Sequence, residues 1–170
     1  MAKNKINTLS LFTGAGGLDI GFHQEGFNII ECIEIESSFC KTLELNRGKY
    51  LSKECIVNNI SIERFDPKSI KEKIDFVIGG PPCQSFSASG RRAGGAAGLN
   101  DNRGTLFHHY CRILKELNPE GFLFENVRGL MGVNNGSAWK LILSSFDNLG
   151  YKLSFRLLDS ALYGAPQHRE

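Results

Sequence analysis

The 170-residue chain has no hydrophobic run long enough to span a membrane, no low-complexity tract and no internal repeat. A transmembrane protein, a repeat array and a disordered linker are thereby excluded as readings, and one domain with a real core is expected. Cysteines are few and irregular. Cys32, Cys40, Cys55, Cys83 and Cys111 are odd in number, form no C-x-x-C pair and have no histidine at zinc-ligand spacing. Neither a disulfide framework nor a metal site is expected, and free thiols point to the reducing cytoplasm. Neither sign of charge dominates: 20 Lys and Arg face 18 Asp and Glu, a formal net charge of +2. A uniformly basic chain is excluded, while a local phosphate-binding face remains open. The first twelve residues carry lysines and only a short apolar run, which does not match a secretory leader.

What is present alternates between two periods. Ile6–Phe12 reads as a first strand, and Thr13–Gly17 as a tight glycine turn. A helix from Leu18 to Gln24 is stopped by Gly26, and Phe27–Ile35 forms a second strand. Ser37 begins a helix with Phe39, Leu43 and Leu45 on its apolar side, ending near Gly48. Strands follow at Glu54–Ile60 and Ile74–Ile78, then a helix at Thr105–Leu117 halted by Asn118-Pro119. Gly121–Phe124 is a fifth strand, Ser137–Leu149 a further helix, and Tyr151–Leu158 an alternating sixth strand before a helical turn at Ala161–Tyr163. Strands alternating with helices predict a parallel α/β sheet with helices on both faces, whose ligands bind beyond the carboxyl ends of the strands.

Five unusual features fall at that edge. The glycine turn lets a ligand approach backbone N–H groups closely at a helix start. It is not a dinucleotide fingerprint, because the third glycine of G-x-G-x-x-G would fall at Asp19. Glu34 closes the second strand where an acidic group takes ribose hydroxyls, with Glu36 competing for the role. A nucleoside ligand without a pyrophosphate fits that pair. Asn59 ends the third strand. Gly79-Gly80-Pro81-Pro82-Cys83 places a cysteine where a stiffened strand end meets a loop rich in Gly, Ser, Ala and Arg, which suits a nucleophile held beside a closing segment. Glu125 follows a strand of bulky apolar residues, which predicts a partly dry setting for its carboxyl. Arg91, Arg92 and Arg103, in or beside the loop, are candidates to neutralise phosphates. The other four cysteines and the His108-His109 pair read as packing or non-catalytic residues.

Taken together, the motifs resemble the cytosine-5 DNA methyltransferase family of bacterial restriction-modification type. Phe12-Thr13-Gly14-Ala15-Gly16-Gly17, Pro81-Pro82-Cys83-Gln84-Ser85-Phe86-Ser87, Gly104-Thr105-Leu106-Phe107, Glu125-Asn126-Val127 and Tyr163-Gly164-Ala165-Pro166-Gln167-His168-Arg169-Glu170 follow one another in family order. The resemblance implies a Rossmann-like methyltransferase sheet, S-adenosylmethionine as cofactor and double-stranded DNA as partner. It implies that the Cys83 thiolate attacks C6 of a flipped-out cytosine, that Glu125 holds the ring through N3 and the exocyclic amine, and that Arg169 is the active-site cation. The cofactor residues it implies are Phe12, Gly14, Gly16, Gly17, Leu18, Glu34, Ile35, Asn59, Ile60, Pro82 and Leu106. Those implied to touch DNA are Gln84, Ser85, Ser89, Arg91, Arg92 and Arg103.

Two departures accompany the resemblance. The family usually has Asp where Asn59 stands; Asn still accepts through its carbonyl oxygen, so weaker rather than absent cofactor binding is expected. The chain also ends at Glu170, one residue before the family's next arginine. Residues 1–170 are therefore expected to form an incomplete catalytic domain, truncated before a seventh strand and lacking a target-recognition domain and C-terminal helix. That sequence would come in cis or from a complementary subunit. The alternatives are a catalytically dead fragment that binds cofactor or a partner, and a tRNA cytosine-5 methyltransferase.

Overall fold

The computed structural model describes residues 5–82 and 105–169. They fall into two compact units, one of residues up to 82 together with 105–125, the other following Glu125. The first unit is built on strands β1 (Ile6–Leu11), β2 (Phe27–Glu34), β3 (Ile56–Asn59), β4 (Phe76–Gly79) and β5 (Gly121–Phe124). All pair in parallel, in the order β3-β2-β1-β4-β5. Helix α1 (Gly17–Gln24) joins β1 to β2, α2 (Ser37–Asn46) joins β2 to β3, and α3 (Thr105–Leu117) precedes β5. Right-handed crossovers put α1 and α2 on one face and α3 on the other, because the chain moves outward from β1 in opposite directions.

The central strand explains its own position. Thr8, Leu9, Ser10 and Leu11 are all buried, as a strand covered on both faces must be. Beneath α1 and α2, Ile29, Cys32, Leu43, Leu51, Cys55 and Ile78 form one apolar cluster. Phe27 and Phe76 meet edge to face with ring centroids 5.5 Å apart, and Phe22 packs on Phe27 at 4.8 Å. On the opposite face α3 buries Phe107, Tyr110, Ile113 and Leu114, and Tyr110 donates its hydroxyl to the Leu123 carbonyl at 2.9 Å. This bond ties α3 to β5 without leaving the buried phenol unpaired.

The predicted helices and the first five strands are present, with ends moved by one or two residues. On α2, the buried side is Cys40 and Leu43, whereas Phe39 and Leu45 face solvent. Only Leu43 of the three expected apolar contacts packs inward: Leu45 lies about 200° around the helix from it, and Phe39, on Leu43's side but in the first turn, is 42% exposed.

In the second unit, Arg128–Gly136 makes 3-10 turns interrupted where Asn134 and Asn135 adopt left-handed backbone. Helix α4 (Ser137–Asn148) follows, and Ala138, Ile142 and Phe146 are buried alongside Leu130. The expected sixth strand at Tyr151–Leu158 is not a strand. Residues 152–158 are exposed and no described residue pairs with them. Alternation alone does not make a strand, because the backbone N–H and C=O groups need a neighbouring strand to receive them. Among the described residues no helix is long and apolar enough to cross a membrane, and no group of three or more His, Cys, Asp or Glu could hold a metal ion.

Candidate cofactor and catalytic site

Strand order reverses at β1, so the crevice beyond the carboxyl ends of β1 and β4 is the topological switch point where ligands bind in open α/β sheets. The chain leaves β1 through Phe12, whose φ of 54° is left-handed. For a bulky aromatic that backbone costs of the order of 1–3 kcal/mol, and such strain concentrates at ligand sites. Thr13 anchors the turn. Its N–H donates to the Ile33 carbonyl at 3.3 Å, and its hydroxyl lies 3.1 Å from that of Ser10. Gly16 then caps α1 at φ 89°, where a Cβ would sit 2.7 Å from Leu43 Cδ2.

Glu34, at the end of β2, is buried. Its Oε2 accepts the Gly14 N–H at 2.7 Å and its Oε1 the Glu36 N–H at 2.8 Å. The carboxylate is thus fixed against the glycine turn while each oxygen keeps a second lone-pair direction. Of the two acids, Glu34 is buried at the turn, whereas Glu36 is exposed and donates its backbone N–H to Glu34. Asn59, at the end of β3, spends its Nδ2 on the Glu34 carbonyl at 3.1 Å and the Ile35 carbonyl at 2.8 Å. Its Oδ1 is left as the acceptor. Ile60 N–H also reaches the Glu34 carbonyl, at 3.0 Å.

A carboxylate able to take two vicinal hydroxyls, an amide oxygen able to take an exocyclic amine and a glycine turn at a helix start form a donor and acceptor set that fits a nucleoside cofactor. Ile35 and Pro82 are exposed, whereas Leu18, Ile60 and Leu106 are half-buried.

The catalytic side of the crevice is formed by the next two strand ends. Glu125 N–H donates to the Gly79 carbonyl at 3.0 Å, continuing the β4–β5 pairing one residue further. Gly80 lies so close that a Cβ there would stand 2.6 Å from Glu125 Oε2. Pro81 is buried behind it. The Glu125 carboxyl therefore lies beside Gly80, but it is exposed rather than partly dry. The bulky residues of β5 are themselves only half-buried, so the strand that precedes Glu125 gives its carboxyl no dry surroundings.

Cys83, Gln84, Ser85, Ser89, Arg91, Arg92 and Arg103 lie outside the described residues. Arg169 belongs to the second unit, where it is exposed. The described cysteines are packing residues, as expected. Cys32 and Cys55 sulfurs lie 3.7 Å apart, and that hydrogen bond together with burial pushes the Cys32 thiol far up. Burial likewise raises Cys40, and takes Cys111 up to about 12. His109 accepts a bond from Arg112 Nε at 3.2 Å, and its pKa is lowered by burial and by the Arg112 charge.

One buried group at this edge was not foreseen. Asp19, in the first turn of α1, is fully buried; its Oδ1 accepts from Cys32 Sγ at 3.6 Å and its Oδ2 has no partner. Desolvation raises its pKa. A charged residue between Leu18 and Ile20 was the available signal.

Comparison with known proteins agrees with this geometry. The family model described as C-5 cytosine-specific DNA methylase matches residues 6–170. The chain is 45% identical to the type II methyltransferase M.FnuDI of Fusobacterium nucleatum, over 97% of this chain and 45% of that protein. It is 37% identical to the type II methyltransferase M.AquIA of Picosynechococcus, over 95% of this chain and 68% of that protein. An E. coli structure described as a prophage-encoded DNA modification methyltransferase superposes with a TM-score of 0.76 at 28% identity, covering 97% of this chain and 44% of that one. The chain thus spans about half the length of most of these relatives. With the model matching nearly every residue, the chain belongs to the C-5 cytosine-specific DNA methylase family.

Proposed function

We propose that this chain forms the cofactor-binding and catalytic part of an enzyme that methylates cytosine at C5 in double-stranded DNA. The observation that carries the reading is the Glu125 carboxyl lying against Gly80, at the strand end that leads in sequence into Pro81-Pro82-Cys83. Glu34 and Asn59, with Phe12 and the turn of Gly14, Gly16 and Gly17, would hold the family's cofactor, S-adenosylmethionine. When bound, that cofactor supplies an electrophilic methyl group. Leu18, Ile35, Ile60, Pro82 and Leu106 would complete its walls.

In this reading the target cytosine is flipped out of the duplex, at a cost of a few kcal/mol. The Cys83 thiolate adds to C6, and the electron pair of the C5–C6 double bond makes C5 nucleophilic. Glu125 hydrogen-bonds N3 and the exocyclic amine and stabilises the charge that develops there. Once C5 carries its methyl group it loses its proton, and the returning electron pair expels the thiolate. Arg169 would favour the thiolate form of Cys83. Gln84, Ser85, Ser89, Arg91, Arg92 and Arg103 would meet the DNA.

Methyl transfer in this reading needs target-recognition sequence in cis or from a complementary subunit. The relatives that are about twice as long support this.

The test is covalent trapping. The chain, supplied with C-terminal sequence in cis or in trans, should form a denaturation-resistant adduct with duplex DNA containing 5-fluorocytosine in the presence of S-adenosylmethionine. Cys83→Ala should abolish it. An adduct that persists in Cys83→Ala overturns the assignment of the nucleophile. Cofactor binding by calorimetry with no transfer under any C-terminal supplement overturns the enzymatic reading and favours a binding fragment. Preferential methylation of tRNA over duplex DNA reassigns the substrate.

A further inference from the structure

In the second unit, residues 159–169 form a loop closed almost entirely by hydrogen bonds from its first two residues. Asp159 Oδ1 accepts the Ala161 N–H at 3.1 Å, capping the short 3-10 helix Ser160–Tyr163, and also the Arg169 N–H at 3.3 Å. Its Oδ2 lies 2.8 Å from His168 Nδ1. Ser160 closes the other strand of the loop. Its N–H donates to the Arg169 carbonyl at 3.0 Å, and its hydroxyl to the Gln167 carbonyl at 2.6 Å. Both backbone polar groups of Arg169 are therefore held by the Asp159-Ser160 pair.

Apolar packing does not supply an alternative anchor. Leu162 is 81% exposed and Tyr163 70%, so the loop buries little that would hold it without these bonds. The Arg169 guanidinium, by contrast, is exposed and has no partner among the described residues. A backbone fixed on both sides beneath an uncommitted cation is the arrangement needed to deliver that cation in one direction.

We propose that Asp159 is the positioning residue for Arg169: by taking the Arg169 and Ala161 N–H groups on one oxygen and His168 on the other, it sets where the guanidinium is presented. This rests on the reading that Arg169 acts at the reacting cytosine. Asp159 touches neither substrate nor cofactor and acts only through the loop. His168 is a minor contributor because its side chain is 88% exposed, and exposed ion pairs contribute little. The carboxylate itself is held below its ordinary pKa, first by the His168 bond and then by the Ala161 N–H.

The experiment is a double-mutant cycle under conditions in which the unaltered chain transfers methyl groups. Asp159→Ala should lower kcat about 10²-fold, the size of loss that a misplacement near 1 Å causes, with KM for S-adenosylmethionine unchanged. Asp159→Asn, which keeps the acceptor for both N–H groups, should recover most of that loss. In the Arg169→Ala background Asp159→Ala should add nothing. If the two losses multiply instead, Asp159 does not act through Arg169 and the proposal falls alone. If Arg169→Ala keeps full kcat, the Arg169 reading falls first and the proposal with it. Amide hydrogen exchange gives a readout independent of activity: Arg169 N–H should exchange at least about tenfold faster in Asp159→Ala than in Asp159→Asn. Equal exchange overturns the loop argument even in a variant too weakly folded to assay.

Discussion

Gly80→Ala should separate catalysis from folding at a single methyl group. The new Cβ would lie 2.6 Å from Glu125 Oε2, whereas ordinary contact starts at 3.4 Å, so the carboxylate must retreat by about 0.8 Å. Glu125 is exposed and its side chain can swing into water, so the cost is that of a changed rotamer, about 1 kcal/mol, and of a shift of a few tenths of an ångström from the Glu125 carbonyl oxygen, which the Cβ would meet at 3.2 Å. A displacement approaching 1 Å in a group that must meet N3 and the amine of the base is expected to cost about 10²-fold in rate. The neighbouring glycine provides the contrast. A Cβ at Gly79 would stand 2.4 Å from the Leu11 carbonyl oxygen, inside the β1–β4 pair, where no flexible side chain can yield. Gly79→Ala should therefore lose about 3 kcal/mol of stability or fail to fold. The assay pairs urea unfolding with the rate of adduct formation on 5-fluorocytosine duplex. In a Glu125→Ala background, Gly80→Ala should slow the reaction no further, because the carboxylate it displaces is gone. A Gly80→Ala protein that reacts at the unaltered rate, or one that unfolds as readily as Gly79→Ala, refutes the reasoning.

How far the amino-acid sequence could be read follows from what each signal records. Strand β1 was legible because β-branched and apolar residues alternate with small polar ones up to a glycine turn. The same alternation at Tyr151–Leu158 misled, since pattern reports the faces of a segment and not whether a neighbour pairs with it. On the site side, Glu34 was proposed from its distance to the turn, and the bonds that place it, to the Gly14 and Glu36 N–H groups, lie beyond any sequence pattern. Asn59 was visible as a departure from family pattern. That its amide bridges two carbonyls is a fact of three-dimensional placement. Glu125 was proposed from its motif, while its exposure was misjudged because bulky residues signal a strand and not its burial: Phe122, Leu123 and Phe124 are themselves only half-buried. Asp159 caps the turn that follows it, and its second bond, to Arg169 ten residues on, closes a loop that no local pattern encodes.

Three further predictions rest on buried polar groups in the sheet unit. Glu34→Gln replaces an acceptor by an NH2 group facing either the Gly14 or the Glu36 N–H, leaving one donor unpaired at a cost of about 1–3 kcal/mol; calorimetry should show S-adenosylmethionine affinity falling at least about tenfold. In the native chain at pH 8, Cys32, Cys40 and Cys55 should resist a maleimide reagent and react only after unfolding, as read by mass spectrometry, because burial keeps Cys32 and Cys40 protonated and all three are inaccessible. The last concerns Asp19, whose buried carboxyl has the Cys32 thiol against Oδ1 and no hydrogen-bond partner for Oδ2. Desolvation raises its native pKa above 3.8, more than bonds from Ser10, its own backbone N–H and Cys32 lower it. The folded chain then keeps a proton that the unfolded chain has released, so this group's contribution to stability is full below the unfolded pKa and declines as pH rises through the native value. Asp19→Asn cannot ionise and removes that decline. The gap in urea midpoint should therefore shift steadily in favour of Asp19→Asn as pH is raised from about 4 towards neutrality. A gap that stays constant, or one that moves in favour of the aspartate, means that Asp19 is charged in the folded chain and that an unseen donor meets Oδ2 beneath the glycine turn.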